Sequence, residues 1–212
     1  MPDHYFWRMA PNVFFWVAIL IAAGSVAVGV TRNRRFRRKE RLHQQMAEQL
    51  GLKVAYLNEK DFNLFGNYQD YALRLEAVEL RPDRADSQPL TVLKASIPMV
   101  NPNRKALRVV RENDAYPRLN RHLSLDRPIS LDHHIAPWLQ LTTNDVMFSG
   151  IILSEDVKIS LFEVFNQFEV ALLSLYDEEL AFFAPLFLTN EAGLKKWQRA
   201  VDLLVEIKDE LN

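Results

Sequence analysis

The sequence predicts an α+β domain carried behind one N-terminal transmembrane helix. Three observations lead there. Residues 13–30 form an uncharged run of eighteen. Strand-like segments separated by turn residues follow from residue 52 onward. The closing stretch repeats apolar side chains at helical spacing. The expected order is an antiparallel β-meander followed by β-α-β-α, with the helices packed on one sheet face.

The run at 13–30 reads VFFWVAILIAAGSVAVGV. As a helix it would be about 27 Å long, close to the roughly 30 Å hydrocarbon core of a bilayer. Ten of its eighteen residues are Val, Ile, Leu or Phe, each favourable near the membrane centre by roughly 0.3–0.6 kcal/mol. A cleaved signal peptide would carry its positive charge ahead of the apolar run. Here seven basic residues follow it: Arg32, Arg34, Arg35, Arg37, Arg38, Lys39 and Arg41. Positive flanks stay in the cytoplasm, so this order predicts a single pass of the inner membrane with the N-terminus outside. The same seven residues are the candidates for contact with anionic lipid, and membrane lipid is the expected partner of residues 13–41.

Charge divides along the same line. The net charge of −1 over 212 residues combines a basic collar with an acidic remainder. Residues 42–212 hold 18 basic and 25 acidic side chains, a net of −7. That balance argues against a nucleic-acid-binding surface, which needs basic groups to neutralise phosphates. The chain has no cysteine, which excludes disulfides, thiolate catalysis and cysteine-based metal sites. The expected organisation is a short extracytoplasmic segment at 1–12, the span at 13–30, a basic stalk at 31–51 and a cytosolic α+β domain at 52–212.

Leu42, Met46 and Leu50 recur every four residues and Gly51 follows as a helix C-cap, so the stalk is expected to end near Leu50. Residues 52–57 form a short strand. Residues 68–80 read as a strand with Tyr71, Leu73, Leu75 and Ala77 on one face. Residues 90–97 place Leu93, Ala95 and Ile97 inward, and 106–112 place Leu107 and Val109 inward; these three strands make the expected meander. Residues 113–145, with Pro117, Pro128 and Pro137, are expected to be mainly loop.

Residues 147–153 read as a strand. A capping box at Ser160-Leu161-Phe162-Glu163 predicts a helix start. Leu161, Phe165, Phe168, Leu172 and Leu175 continue it at 4-3-4-3 spacing. Residues 180–188 read as a buried strand, with Pro185 placing it at an edge or a bulge. Thr189 or Asn190 then caps the last helix. Leu194, Trp197, Val201, Leu204, Ile207 and Leu211 form its inner face, while Lys195, Lys196, Arg199, Asp202, Glu206 and Asp209 face water.

No phosphate-binding glycine loop, nucleophile elbow or HExxH sequence occurs. His122, His133 and His134 are the one candidate metal constellation. Adjacent histidines in a strand point to opposite faces, so this set needs irregular backbone. A polar loop with solvated imidazoles is the simpler reading, and no cofactor is expected. The acids Asp177-Glu178-Glu179 read as a solvated helix-to-strand connection rather than a catalytic pair.

From residue 66 onward the order of features resembles a set of uncharacterised bacterial membrane proteins. The marks are Phe65-Gly66-Asn67-Tyr68, Arg111-Glu112, Asn144-Asp145-Val146-Met147-Phe148 and the closing amphipathic helix. The pattern departs at Gln69-Asp70, where a glycine is expected, and at Ser149, where an acid is expected. The resemblance implies one or two N-terminal spans, a cytosolic α+β domain and a bacterial inner-membrane setting. It implies no activity. A non-catalytic interaction or scaffold module with a protein partner is therefore the leading expectation. A metal-assisted enzyme using the 113–145 region and an anionic-lipid sensor using the basic collar are the alternatives.

Overall fold

The computed structural model describes residues 16, 19–21, 24, 25, 28, 30, 31, 37, 40–56, 62–80, 90–101, 103–111, 129–131, 135–185 and 191–211. The chain divides into two compact units, Met1–Arg41 and Leu42–Asn212. In the first unit the described residues are helical, and Trp16, Leu20, Ile21 and Val28 are exposed. The Ser25 hydroxyl donates to the Ile21 carbonyl and the Thr31 hydroxyl to that of Val28, so both are satisfied within the helix. Among the described residues no helix is long and apolar enough to cross a membrane.

Among the described residues the second unit is a nine-stranded sheet with helices on one face. It begins with helix α1, residues 42–49, which buries Leu42, Met46 and Ala47 in the main core, followed there by Leu50. Gly51 ends it at φ +65°, where the Gly51 N–H bonds Glu48 and the Leu52 N–H bonds Ala47. These two bonds form a Schellman cap, which suits glycine because its left-handed residue has no Cβ to clash.

The strands are β1 (Lys53–Tyr56), β2 (Phe62–Tyr68), β3 (Tyr71–Leu80), β4 (Leu90–Pro98), β5 (Leu107–Arg111), β6 (Ile129–Leu131), β7 (Leu139–Thr143), β8 (Ala171–Tyr176) and β9 (Glu179–Pro185). They lie in the order β1-β2-β3-β4-β9-β8-β5-β7-β6. Every pairing is antiparallel. Helices α2 (Val146–Ile152), α3 (Glu155–Asn166) and α4 (Glu191–Glu210) complete the unit. The α+β class and the packing of helices on an antiparallel sheet agree with the pattern read from the sequence.

Alternation determines the two faces. Leu64, Leu75, Ala95, Phe182, Leu173 and Val109 point toward the helices and join α1–α4 in the main core. Phe182 sits at its aromatic centre, with ring centroids of Phe165, Phe168 and Trp197 at 5.6, 5.3 and 5.7 Å. Burying each such side chain contributes on the order of 1.5–3 kcal/mol. On the opposite face Val92, Val110, Leu172 and Phe183 form a smaller buried cluster. The central strands β8 and β9 are thus apolar on both faces.

Several sequence expectations change. The segment at 68–80 contains a hairpin turn: Tyr68 pairs with Tyr71, and Gln69 and Asp70 between them have φ +47° and +70°. Two consecutive positive φ values define a tight type I′ turn, normally marked by Asn-Gly. Without glycine the turn was hidden, and with it the preceding strand β2. The meander therefore consists of β1–β4, and its expected third member, β5, is not in it. Strands β9 and β8 lie between β4 and β5. Local turn signals carry no information about that insertion.

Residues 129–131 and 139–143 are strands within the segment expected to be loop. Residues 147–153 were expected as a strand but lie mainly in α2, because Asp145 caps a helix start: its side chain accepts from the Phe148 N–H. Helix α3 begins at Glu155 with Ser154 as its cap, so the sequence at Ser160 lies inside a helix rather than at its start. The 4-3-4-3 stripe crosses an element boundary. Leu161 and Phe165 are helical, whereas Leu172 and Leu175 belong to β8. All are buried, which periodicity alone read as one helix.

Pro185 ends a central strand, not an edge strand, because β9 pairs with both β4 and β8. The expected cap at Thr189 or Asn190 lies outside the described residues. The inner face of α4 is as expected, with Leu194, Trp197, Val201, Leu204 and Ile207 buried.

Candidate functional site

His122, His133 and His134 lie outside the described residues. Among the described residues no group of three His, Asp or Glu is placed to hold a metal ion. Of the basic collar, Arg37 and Arg41 are described, and both are helical and exposed. Arg32, Arg34, Arg35, Arg38 and Lys39 lie outside. Asp177 and Glu178 form the two-residue turn of the β8–β9 hairpin, with Asp177 at φ +50°, rather than a helix-to-strand connection. Glu179 starts β9 and its carboxylate meets Lys94 at 2.7 Å.

Two surfaces of the second unit have chemistry that the fold does not require. The first is the outer side of α2. Its seven residues, VMFSGII, contain no charge. Phe148, Ser149 and Ile152 turn inward, and Val146, Met147 and Ile151 are 52%, 84% and 60% exposed. A surface helix normally presents polar residues on that side.

The start of α2 is held rigidly. The Asn144 side chain accepts from the Ala106 N–H at 2.7 Å and donates to the Arg104 carbonyl at 2.8 Å. The Thr143 hydroxyl donates to the Ala106 carbonyl. Lys105 reaches Asp145 at 3.5 Å and lies 5.0 Å above the Phe148 ring. The Phe148 N–H holds the Asp145 carboxyl below its ordinary range; desolvation opposes it in part, and the nearby Lys105 charge adds a lesser lowering. Val100, on the same connection, is exposed.

The second surface is a cleft of about 440 Å³ on the helix-free face of the sheet. Cross-strand register places Phe65, Arg74, Ser96 and Ala181 in one row across β2, β3, β4 and β9. Ala72, Pro98 and Glu178 continue the lining toward the β8–β9 turn. Small side chains at Ala72 and Ser96 hollow this part of the face. Farther along the same row, Arg108 lies beside Ser174, and burial pushes its guanidinium below the ordinary value.

Sequence reasoning missed both surfaces. The exposed side of α2 was hidden because an uncharged, mostly apolar heptapeptide reads as buried in either secondary structure. The Asn144-Asp145 cap was the available signal for a helix. The cleft depends on register between distant strands, which the residues do not announce.

No family model matches the chain, and no curated protein matches it. Among solved structures, the crystal structure of the mycobacterial trehalose monomycolate transport factor A, TtfA, is similar. The TM-score is 0.52 over 84% of this chain and 94% of that chain, at 8% identity. At that identity the likeness shows a shared fold.

Proposed function

We propose that the chain is a membrane-anchored, non-catalytic interaction module. Residues 13–30 cross the bacterial inner membrane with the N-terminus outside, residues 31–41 meet anionic headgroups, and the α+β unit works in the cytoplasm. The observation that carries the interaction role is the uncharged helix α2, whose Val146, Met147 and Ile151 are exposed on a rigidly held scaffold. Contact with an apolar partner surface would remove them from water, at about 25 cal/mol per Å² of apolar area. The eighteen-residue apolar run, its basic flank and the two internally satisfied hydroxyls support the anchor. The fold shared with a protein described as a transport factor adds, by analogy, an accessory role beside a transport assembly.

Crosslinking of the full chain in intact membranes, followed by mass spectrometry, tests the interaction. Met147→Asp combined with Ile151→Asp should abolish a specific crosslinked partner while leaving the thermal midpoint within a few degrees. Retention of the same partner by the double variant would overturn the reading. A phosphatase reporter fused after Asn212 should be inactive; activity outside the cytoplasm would overturn the topology.

A further inference from the structure

We infer that the partner of α2 is a second copy of this chain, seated α2 against α2 in antiparallel orientation across Gly150. The inference rests on the interaction reading of that helix and specifies what occupies it.

Gly150 is the first observation. It lies inside α2 and is exposed. It follows Val146 and Met147 by one helical turn and adjoins Ile151, so it is the centre of the exposed apolar face. Glycine weakens a helix relative to alanine. The fold does not require it here: a Cβ at Gly150 would meet nothing within 4 Å, and its φ is not positive. A bare backbone at the centre of an apolar face lets a second helix approach closely, because the side chains at a crossing set the distance between helix axes.

Charge selects the occupant. Residues 42–212 carry a net of −7, so two copies repel one another on average. Helix α2 is uncharged, and the groups at its two ends differ in sign. At its start Arg104 and Lys105 outnumber Asp145, with the Arg104 backbone and the Lys105 ammonium both tied to that end. Just past its end Glu155 and Asp156 open α3 and outnumber Lys158. A twofold contact uses the same patch on both copies. With the helices antiparallel, the basic start of each copy meets the acidic end of the other; a parallel pair would set like against like. The helix is roughly 10 Å long, so both ends fall within one contact. The apolar patch is on the order of 300–400 Å², less than the roughly 800 Å² per partner of a standard stable interface. Anchoring in one membrane supplies the remaining affinity by raising effective concentration.

The test uses the full chain with a donor or an acceptor dye at its C-terminus, reconstituted in phosphatidylcholine vesicles. Lipid is in such excess that unassociated chains give no energy transfer. Parent copies should show transfer. Gly150→Ala and Gly150→Leu should melt no lower than the parent, yet the first should lose at least half of the transfer and the second all of it. Arg104→Glu and Asp156→Arg should each lose transfer alone. Mixing donor-labelled copies of one with acceptor-labelled copies of the other should restore it, because the mixed pair again has opposite charges at both ends. No transfer in the parent, unchanged transfer in Gly150→Leu, or mixed variants that stay apart would overturn the inference. Should transfer be absent while Met147→Asp with Ile151→Asp still abolishes crosslinking to a different protein, only the second copy is ruled out. Should those substitutions affect neither readout, the interaction reading fails with it.

Discussion

The Tyr68 hydroxyl donates to the Asp202 carboxylate at 2.6 Å, joining residues 134 positions apart in sequence. Its cross-strand partner Tyr71 donates in the same way to Asp209, seven residues further along α4. Seven residues are two helical turns, so both acids lie on one side of α4. The tip of the β2–β3 hairpin is thereby fastened to the last helix at two points. Tyr68→Phe should cost about 1–2 kcal/mol, as expected for a part-buried bond to a charged acceptor. A double-mutant cycle with Asp202→Asn, read by urea denaturation, should show coupling between the two residues. Additive effects would mean the bond contributes nothing.

The same contact predicts alkaline behaviour. Burial first, and the Asp202 bond second, raise the Tyr68 phenol above its ordinary value of 10.0. The folded state therefore keeps the proton after the unfolded state has released it. This contribution is complete below pH 10 and is lost as pH rises through the higher folded value. Stability measured from pH 9 upward should fall more steeply in the parent than in Tyr68→Phe.

Gly51 and Gly66 should respond to alanine for different reasons. At Gly51 a Cβ meets nothing within 4 Å, but the φ of +65° disfavours any side chain, at about 1 kcal/mol. At Gly66 a Cβ would lie 3.1 Å from Leu52 Cδ2 and 3.3 Å from Leu52 Cα. The methyl of Leu52 can yield a little but its backbone cannot, and overpacking of this kind costs about 1–3 kcal/mol. Replacing Leu52 by Ala in the Gly66→Ala background should recover part of the Gly66 loss and none of the Gly51 loss, by thermal denaturation.

Arg111 closes the end of α3. Its Nη1 donates to the Phe165 carbonyl at 2.7 Å and to the Phe168 carbonyl, and its guanidinium lies 4.6 Å from the Trp138 ring centroid. A cation at a helix C-terminus also offsets the partial negative charge there. Arg111→Met should lower stability by about 2 kcal/mol, and Arg111→Lys should restore only part of it, because lysine lacks the planar fork. Full rescue by lysine in a denaturation series would show that charge alone matters.

Asp145 predicts acid behaviour with the opposite sign to Tyr68. Its carboxyl is lowered below the ordinary 3.8, mainly by the Phe148 N–H it caps. Its contribution is present above pH 3.8 and disappears as pH falls through the lower folded value. The melting midpoint of Asp145→Asn should therefore change less than that of the parent between pH 4 and 2. Equal acid slopes in the two proteins would remove Asp145 from the account.

Local pattern carried a large part of the architecture. Alternation at Leu73, Leu75, Leu93, Ala95 and Ile97 identified the helix-facing side of β3 and β4, because strand periodicity is a backbone property. The i, i+3/i+4 set from Leu194 to Ile207 identified α4 for the same reason, and Gly51 marked the end of α1. Failures came where apolar content exceeded periodicity. VMFSGII is uncharged and mostly apolar, so it could not show which face was buried; LAFFAPLFL was read correctly as a buried strand, and only the edge or bulge position inferred from Pro185 failed. The β2–β3 turn was missed because Gln69-Asp70 adopts positive φ without glycine, a strain that the Tyr68 and Tyr71 contacts to α4 can offset.

By itself, then, the sequence determined the α+β class, the sidedness of the strands, the closing helix, and the apolar run with its basic flank on which the anchor proposal rests. The tertiary structure alone decided that β9 and β8 enter between β4 and β5, that α2 leaves Met147 and Ile151 in water, and that Arg74 and Ser96 share a cleft with Glu178. The reason is physical. Periodicity and capping act within a few residues, whereas register and exposure arise only when strands distant in sequence compete for the same neighbours.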